Sequence, residues 1–162
     1  AVVVVNTGGS GGLGRPSLSV GAQVRAELAL GRPGGVENKW YDADLNERGW
    51  KSVRMGSDSA FGDSALTWYR MSFSLPEPEK GVWVPWHVKL KAKGNGFIYL
   101  NGHFVGRYWE AGPQFRFFLP ECWLRFGTDQ TNQLTVSLRP LGKEVSIESA
   151  VVEPYREFAE QR

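Results

Sequence analysis

The stretch from Gly94 to Leu138 limits what this chain can fold into more than any other part of it. It reads as strand, tight turn, strand, Gly-Pro break, strand, Pro-capped corner, strand. Phe97-Ile98-Tyr99-Leu100 is apolar and rich in strand-forming residues. Asn101-Gly102 follows at once, and these residue types accept the positive φ that a two-residue hairpin turn demands. A turn that short joins antiparallel strands, so the class is antiparallel β.

Period-two alternation recurs on both sides of that stretch. Tyr69, Met71, Phe73 and Leu75 share one face while Trp68, Arg70, Ser72 and Ser74 share the other, the pattern of a half-buried strand. Trp86, Val88, Leu90 and Ala92 alternate with His87, Lys89 and Lys91, and Pro85 ahead of them predicts a bulge or a sheet edge. Phe115, Phe117 and Leu119 oppose Arg116 and Phe118. Leu134, Val136 and Leu138 alternate with Gln133, Thr135 and Ser137, and Val145 to Val152 supplies a last strand. Ala22 to Leu30 is a strand or a short helix; its periodicity does not decide. About eight short strands at this spacing predict an all-β antiparallel sandwich of jelly-roll type. Residues 31–152 would form it. Residues 1–30 read as a strand and Gly-rich loop, the end of a preceding β-domain or a strand donated by one. Residues 153–162 read as a charged tail.

Composition excludes several classes. Hydrophobic residues make up 41% and charged residues 22%, which is a folding composition rather than a disordered one. Lys and Arg exceed Asp and Glu by 2, with the signs interspersed, so no basic footprint for nucleic acid is present. No apolar run approaches the roughly 20 residues of a membrane span. The opening Ala-Val-Val-Val-Val is too short for a signal peptide and lacks its basic flank. The chain also starts without Met, which reads as excision from a longer polypeptide and leaves the compartment open. Cys122 stands alone, so neither an internal disulfide nor a Cys-based zinc site is available, and its Pro-Glu-Cys-Trp-Leu setting reads as a packed corner.

The N-terminus offers a competing motif. Val2 to Val5 reads as a buried strand, and Gly9, Gly11 and Gly14 behind it fit G-x-G-x-x-G, the dinucleotide-binding loop. That chemistry also needs a helix opening near Gly14, whose N-terminus would hold a pyrophosphate. Ser17-Leu18-Ser19-Val20-Gly21 has no helical stripe, no Tyr is followed four residues on by Lys, and no βαβ alternation exists. The glycines read better as a loop between strands.

Several segments carry a family resemblance: Trp68-Tyr69-Arg70 with Phe73 and Leu75-Pro76, Tyr99-Leu100-Asn101-Gly102, Val105-Gly106-Arg107-Tyr108-Trp109, Gly112-Pro113-Gln114, Leu119-Pro120, Trp123-Leu124 and Asn132-Gln133-Leu134. Gly34 to Glu37 and Asp44 to Trp50 add weaker matches. The chain resembles the C-terminal galactose-binding-like jelly-roll domain of family 35 glycoside hydrolases, the β-galactosidases. The resemblance implies a non-catalytic domain that supports the catalytic domain of the same polypeptide and contacts a galactoside or other glycan. The family's two catalytic glutamates sit in a TIM barrel that this chain does not contain. The alternatives are an autonomous carbohydrate-binding module and a fragment of a dinucleotide-binding enzyme.

The residues themselves agree on the lack of a recognisable catalytic set. Glycosidases of the retaining type need paired carboxyls about 5 Å apart. Asp42, Asp44 and Glu47 cluster in sequence, but in a stretch that reads as a solvated, turn-rich loop. His87 and His103 have no triad context and no metal-ligand spacing. No cofactor is required. Calcium is the one metal this fold type suggests, with Asp42, Asp44 and Glu153 as candidate oxygen donors. A sugar site needs an aromatic plate for the C–H face of a pyranose and planar polar groups for its hydroxyls. Arg107, Tyr108, Trp109, Glu110 and Gln114 supply that mixture in one loop. Trp40 and Tyr41 supply a second, and Trp83 with Trp86 a third. The first set reads, and more readily, as a structural corner locking two strands.

Overall fold

The computed structural model describes residues 4–5, 18–19, 24–29, 38–48, 50–56, 59–60, 66–81, 83–142 and 144–155. Its strands build two antiparallel six-stranded sheets. In the first, β1 (Val4–Val5) pairs β2 (Leu18–Ser19), followed by β12 (Glu144–Pro154), β7 (Trp86–Lys93) and β10 (Arg116–Leu119), with β5 (Ser59–Ala60) beside β12. The second runs β4 (Lys51–Val53), β3 (Val24–Ala29), β6 (Leu66–Leu75), β11 (Gly127–Arg139), β8 (Asn95–Leu100), β9 (His103–Trp109). A single 3₁₀ turn, Glu121–Trp123, is the helical content of the described residues. The expected all-β sandwich is the architecture found.

The core lies between the sheets, where the alternating residues meet. Tyr69, Met71, Phe73 and Leu75 from β6, Ile98 and Leu100 from β8, and Leu134, Val136 and Leu138 from β11 face Trp86, Val88 and Leu90 from β7, Phe117 and Leu119 from β10, and Val145, Ile147 and Val152 from β12. Burial of such side chains, at about 25 cal/mol per Å² of apolar surface, is what holds two sheets face to face.

The hairpin turn forms as its sequence demands. Asn101 has φ 48° and Gly102 φ 90° between β8 and β9. The Asn101 side chain also ties the turn down. Its Oδ1 accepts from Gln133 N at 2.8 Å, and its Nδ2 donates to Trp123 O at 2.6 Å and Asn132 Oδ1 at 2.8 Å.

The structure departs from the sequence reading at three places and decides a fourth that the sequence left open. Trp68 and Arg70 are buried rather than on a solvated face, because the irregular residues 38–48 and Trp50 lie over the outside of β6. Pro85 marks neither an edge nor a bulge; it immediately precedes β7, an interior strand that starts at Trp86. Cys122 is exposed, not packed, since the 3₁₀ turn points it outward. The undecided segment Ala22 to Leu30 contains a strand, Val24–Ala29, hydrogen-bonded to β4 and β6. The glycines Gly9, Gly11 and Gly14 lie outside the described residues. Leu18–Ser19 beyond them is strand, antiparallel to Val4–Val5.

Candidate functional site

The seven proposed sugar-contact residues divide between two places on the second sheet and its covering segment. The first is the end of β9. On a strand successive side chains point to opposite faces, so Tyr108 and Trp109 part company. Tyr108 is 0% exposed. Its hydroxyl accepts from Ala92 N and donates to Ala92 O, each at 2.9 Å. Burial, first of all, lifts its phenol above the usual range, so it stays a donor. Tyr108 is therefore a clamp between the sheets and not a sugar plate, which corrects the expectation for this residue.

Trp109 faces out and is 52% exposed. Arg107, two residues earlier on the same face, holds its guanidinium carbon 6.0 Å from the Trp109 ring centre. A turn follows, closed by Gly112 N donating to Trp109 O at 2.9 Å. Gly112 has φ 71° and a cis bond to Pro113. A Cβ at Gly112 would lie 2.7 Å from the Phe115 ring, so only glycine fits there. Arg107, Trp109, Gly112, Pro113 and Gln114 together line an open pocket of about 210 Å³. The Gln114 amide is set by donating to Arg116 O at 3.3 Å. Glu110 is turned away from the pocket: its carboxylate accepts from Gly94 N, and its own N–H donates to Asn95 Oδ1 at 3.1 Å. The predicted quintet thus contributes three pocket residues, one clamp and one turn-holder.

The second place is the loop over β6, and one arginine organises it. Arg70, 2% exposed, donates to Trp40 O at 2.8 Å, Asp42 O at 2.7 Å and Ala43 O at 3.2 Å, and pairs with Glu47 Oε1 at 3.0 Å. Trp40 packs edge-on between Trp50 and Trp68, and Tyr41 stacks on Tyr99 at 4.8 Å. The aromatic stack continues from Tyr99 to Phe104 and Phe97 on the outer face of β8 and β9. Trp40 and Tyr41 are half-buried in that stack and do not join the Trp109 pocket. In the third pair Trp86 is core and Trp83 is exposed.

The candidate metal donors are not brought together. Asp42 and Asp44 are exposed, and Asp42 lies beside Gly102 of the hairpin turn. Glu153 sits on β12 in the other sheet, paired to Lys89 at 2.5 Å and His87 at 3.1 Å. Among the described residues no group of three His, Cys, Asp or Glu could hold a metal ion. His87 is buried under Tyr155, with ring centres 4.3 Å apart, and burial, only partly opposed by Glu153, lowers its pKa.

Comparison with known proteins bears on the same sheet. A family model described as the beta-galactosidase, galactose-binding domain covers the chain from β6 into β11. Residues 66–129 match the galactose-binding domain of β-galactosidases. That segment holds the hairpin, the Trp109 pocket and the 3₁₀ turn. Beta-galactosidase 14 of Arabidopsis thaliana is 35% identical over 79 residues, 49% of this chain and 8% of the relative. Human beta-galactosidase-1-like protein 2 is 42% identical over 43 residues, 26% and 7% respectively. The chain thus matches only a small part of the length of these relatives. A beta-glucuronidase from an uncultured Clostridium sp. superposes with a TM-score of 0.68 at 15% identity, over 90% of this chain and 30% of that one. One from Ruminococcus gnavus gives 0.64 at 18%, over 88% and 28%. At such identities the likeness shows the fold alone. No described helix is long and apolar enough to cross a membrane.

Three residues of these places escaped the sequence reading. Gly112 and Pro113 line the pocket with backbone and ring, and the Gly-Pro pair signals a turn without saying what it borders. Arg70 looked like a solvent-facing residue because its partners are mostly carbonyl oxygens, which no sequence pattern displays.

Proposed function

We propose that this chain is a non-catalytic jelly-roll domain of a family 35 β-galactosidase-type glycoside hydrolase, which supports the catalytic domain and holds a galactoside weakly in the Arg107–Trp109–Gln114 pocket. The observation that carries the reading is a half-exposed indole that lines an open pocket together with Arg107 and Gln114, inside the segment that matches the galactose-binding domain. Trp109 offers the apolar plate for a pyranose face, and Arg107 and Gln114 offer donors for its hydroxyls. The pocket is smaller than the roughly 300–1,000 Å³ of drug-sized sites, which suits one sugar ring and millimolar affinity, about −4 kcal/mol. No step of hydrolysis is assigned to these residues: Glu47 is engaged by Arg70, and Glu153 by Lys89 and His87.

Titration with galactose and methyl β-galactoside, read by Trp fluorescence, tests the reading. Wild type should respond in the millimolar range, and Trp109→Ala should lose the response while unfolding at the same urea concentration. Turnover of nitrophenyl galactoside by the purified chain, lost on neutralising Asp42, Asp44 or Glu47, would contradict the non-catalytic role.

A further inference from the structure

We infer that the Trp109 pocket selects acidic galactosides, those carrying a carboxylate or a sulfate, over neutral galactose. The inference rests on the pocket being a sugar site, as proposed above, and adds the charge of its ligand. Its basis is the state of Arg107. Ion pairs engage Arg70, His87, Lys89, Lys91 and Lys93, whereas among the described residues none engages Arg107. The acid nearest in sequence, Glu110, is turned to Gly94 N. Across the hairpin, the residue paired with Arg107 is Phe97, itself exposed and apolar.

Arg107 therefore brings a positive charge to the pocket wall with no acid to neutralise it. It is also positioned. Its guanidinium carbon lies 6.0 Å from the Trp109 ring centre and both residues line the pocket, so a sugar held there meets the fork. A neutral sugar gives that fork only hydroxyl partners, which water matches. A carboxylate or sulfate on the ring gives it two parallel charge-assisted hydrogen bonds. Gln114, an amide, adds a donor without adding negative charge to repel the ligand. The chain's net charge of +2 does not oppose an anion either.

The test compares D-galactose, D-galacturonate and galactose 6-sulfate against wild type and Arg107→Gln by calorimetry or amide chemical shifts, at low and at high salt. The inference predicts that at least one acid binds about tenfold tighter than galactose, in keeping with a hydrogen bond to a charged group. High salt should shrink the gain, and Arg107→Gln should abolish the difference between acid and galactose, whatever its effect on galactose affinity itself. Comparing the two acids shows whether the fork reads a carboxylate, a sulfate or both. Equal affinity for all three sugars overturns the charge selectivity and leaves the sugar site standing. A gain that survives in Arg107→Gln overturns it as well. No response to any of the three overturns the sugar site and this inference together. Because Arg107 is exposed, unchanged unfolding of Arg107→Gln serves as the folding control.

Discussion

Adjacent residues on one strand can have unrelated jobs, and Tyr108 and Trp109 show it. The Tyr108 hydroxyl satisfies both backbone groups of Ala92 in the core, so Tyr108→Phe leaves a buried donor and acceptor unpaired. The expected loss is about 1–3 kcal/mol in urea unfolding. Trp109→Ala should change stability by only about 0.5 kcal/mol, since the ring is half in water. Arg70 is a second case. Arg70→Met would free three carbonyls and remove the guanidinium that Glu47 pairs with, so a loss of about 3–5 kcal/mol is expected, with the Trp40–Ala43 loop loosened. Which member of the Tyr108–Trp109 pair faces inward was not legible in the sequence. His103–Trp109 lacks apolar alternation, and a bulge opposite Ile98 and Tyr99 shifts the register within the strand.

Elements were far more legible than their environments. The period-two runs at β6, β7 and β11 located strands and the inward faces of the core, because a strand half-buried against one layer must alternate. The same logic failed on the outer face of β6, since its cover is an irregular segment whose contacts are long-range. Close packing of strands yields a sharp prediction of its own. A Cβ at Gly96 would lie 1.6 Å from Ser137 O, across the β8–β11 pairing. Gly96→Ala should therefore cost about 3 kcal/mol or more, or abolish soluble expression. Gly142, with nothing within 4 Å of a built Cβ, is the matched control, and Gly142→Ala should unfold like wild type.

At the scale of the whole molecule, the first sheet carries a pH dependence. His87 is a base whose pKa is depressed by burial in the fold, so the folded state binds fewer protons than the unfolded one. Stability is then full above about pH 6.5 and falls as pH drops below it. Burial alone would raise the Glu153 carboxyl, but Lys89 and His87 outweigh it and hold the pKa low. That contribution persists above about pH 4.3 and is lost on further acidification. The two act in the same direction. Thermal unfolding followed from pH 7.5 to 4 should show a falling Tm, and His87→Gln should flatten the part of the curve nearest pH 6.

The galactose-binding-domain likeness was readable in part because Asn101-Gly102 and Gly112-Pro113 sit on turns, where residue type is dictated by backbone geometry. The pocket was readable only in part, since exposure depends on what else packs nearby. Two-dimensional NMR of the chain during galactose titration tests the central claim most directly, through its seven indole N–H signals. The account predicts that the Trp109 indole and the Arg107 and Gln114 amides shift together with one dissociation constant of about a millimolar, while the buried Trp68 indole stays still. Shifts confined to other loops, or none at a galactose concentration of about 50 mM, far above that constant, would contradict it.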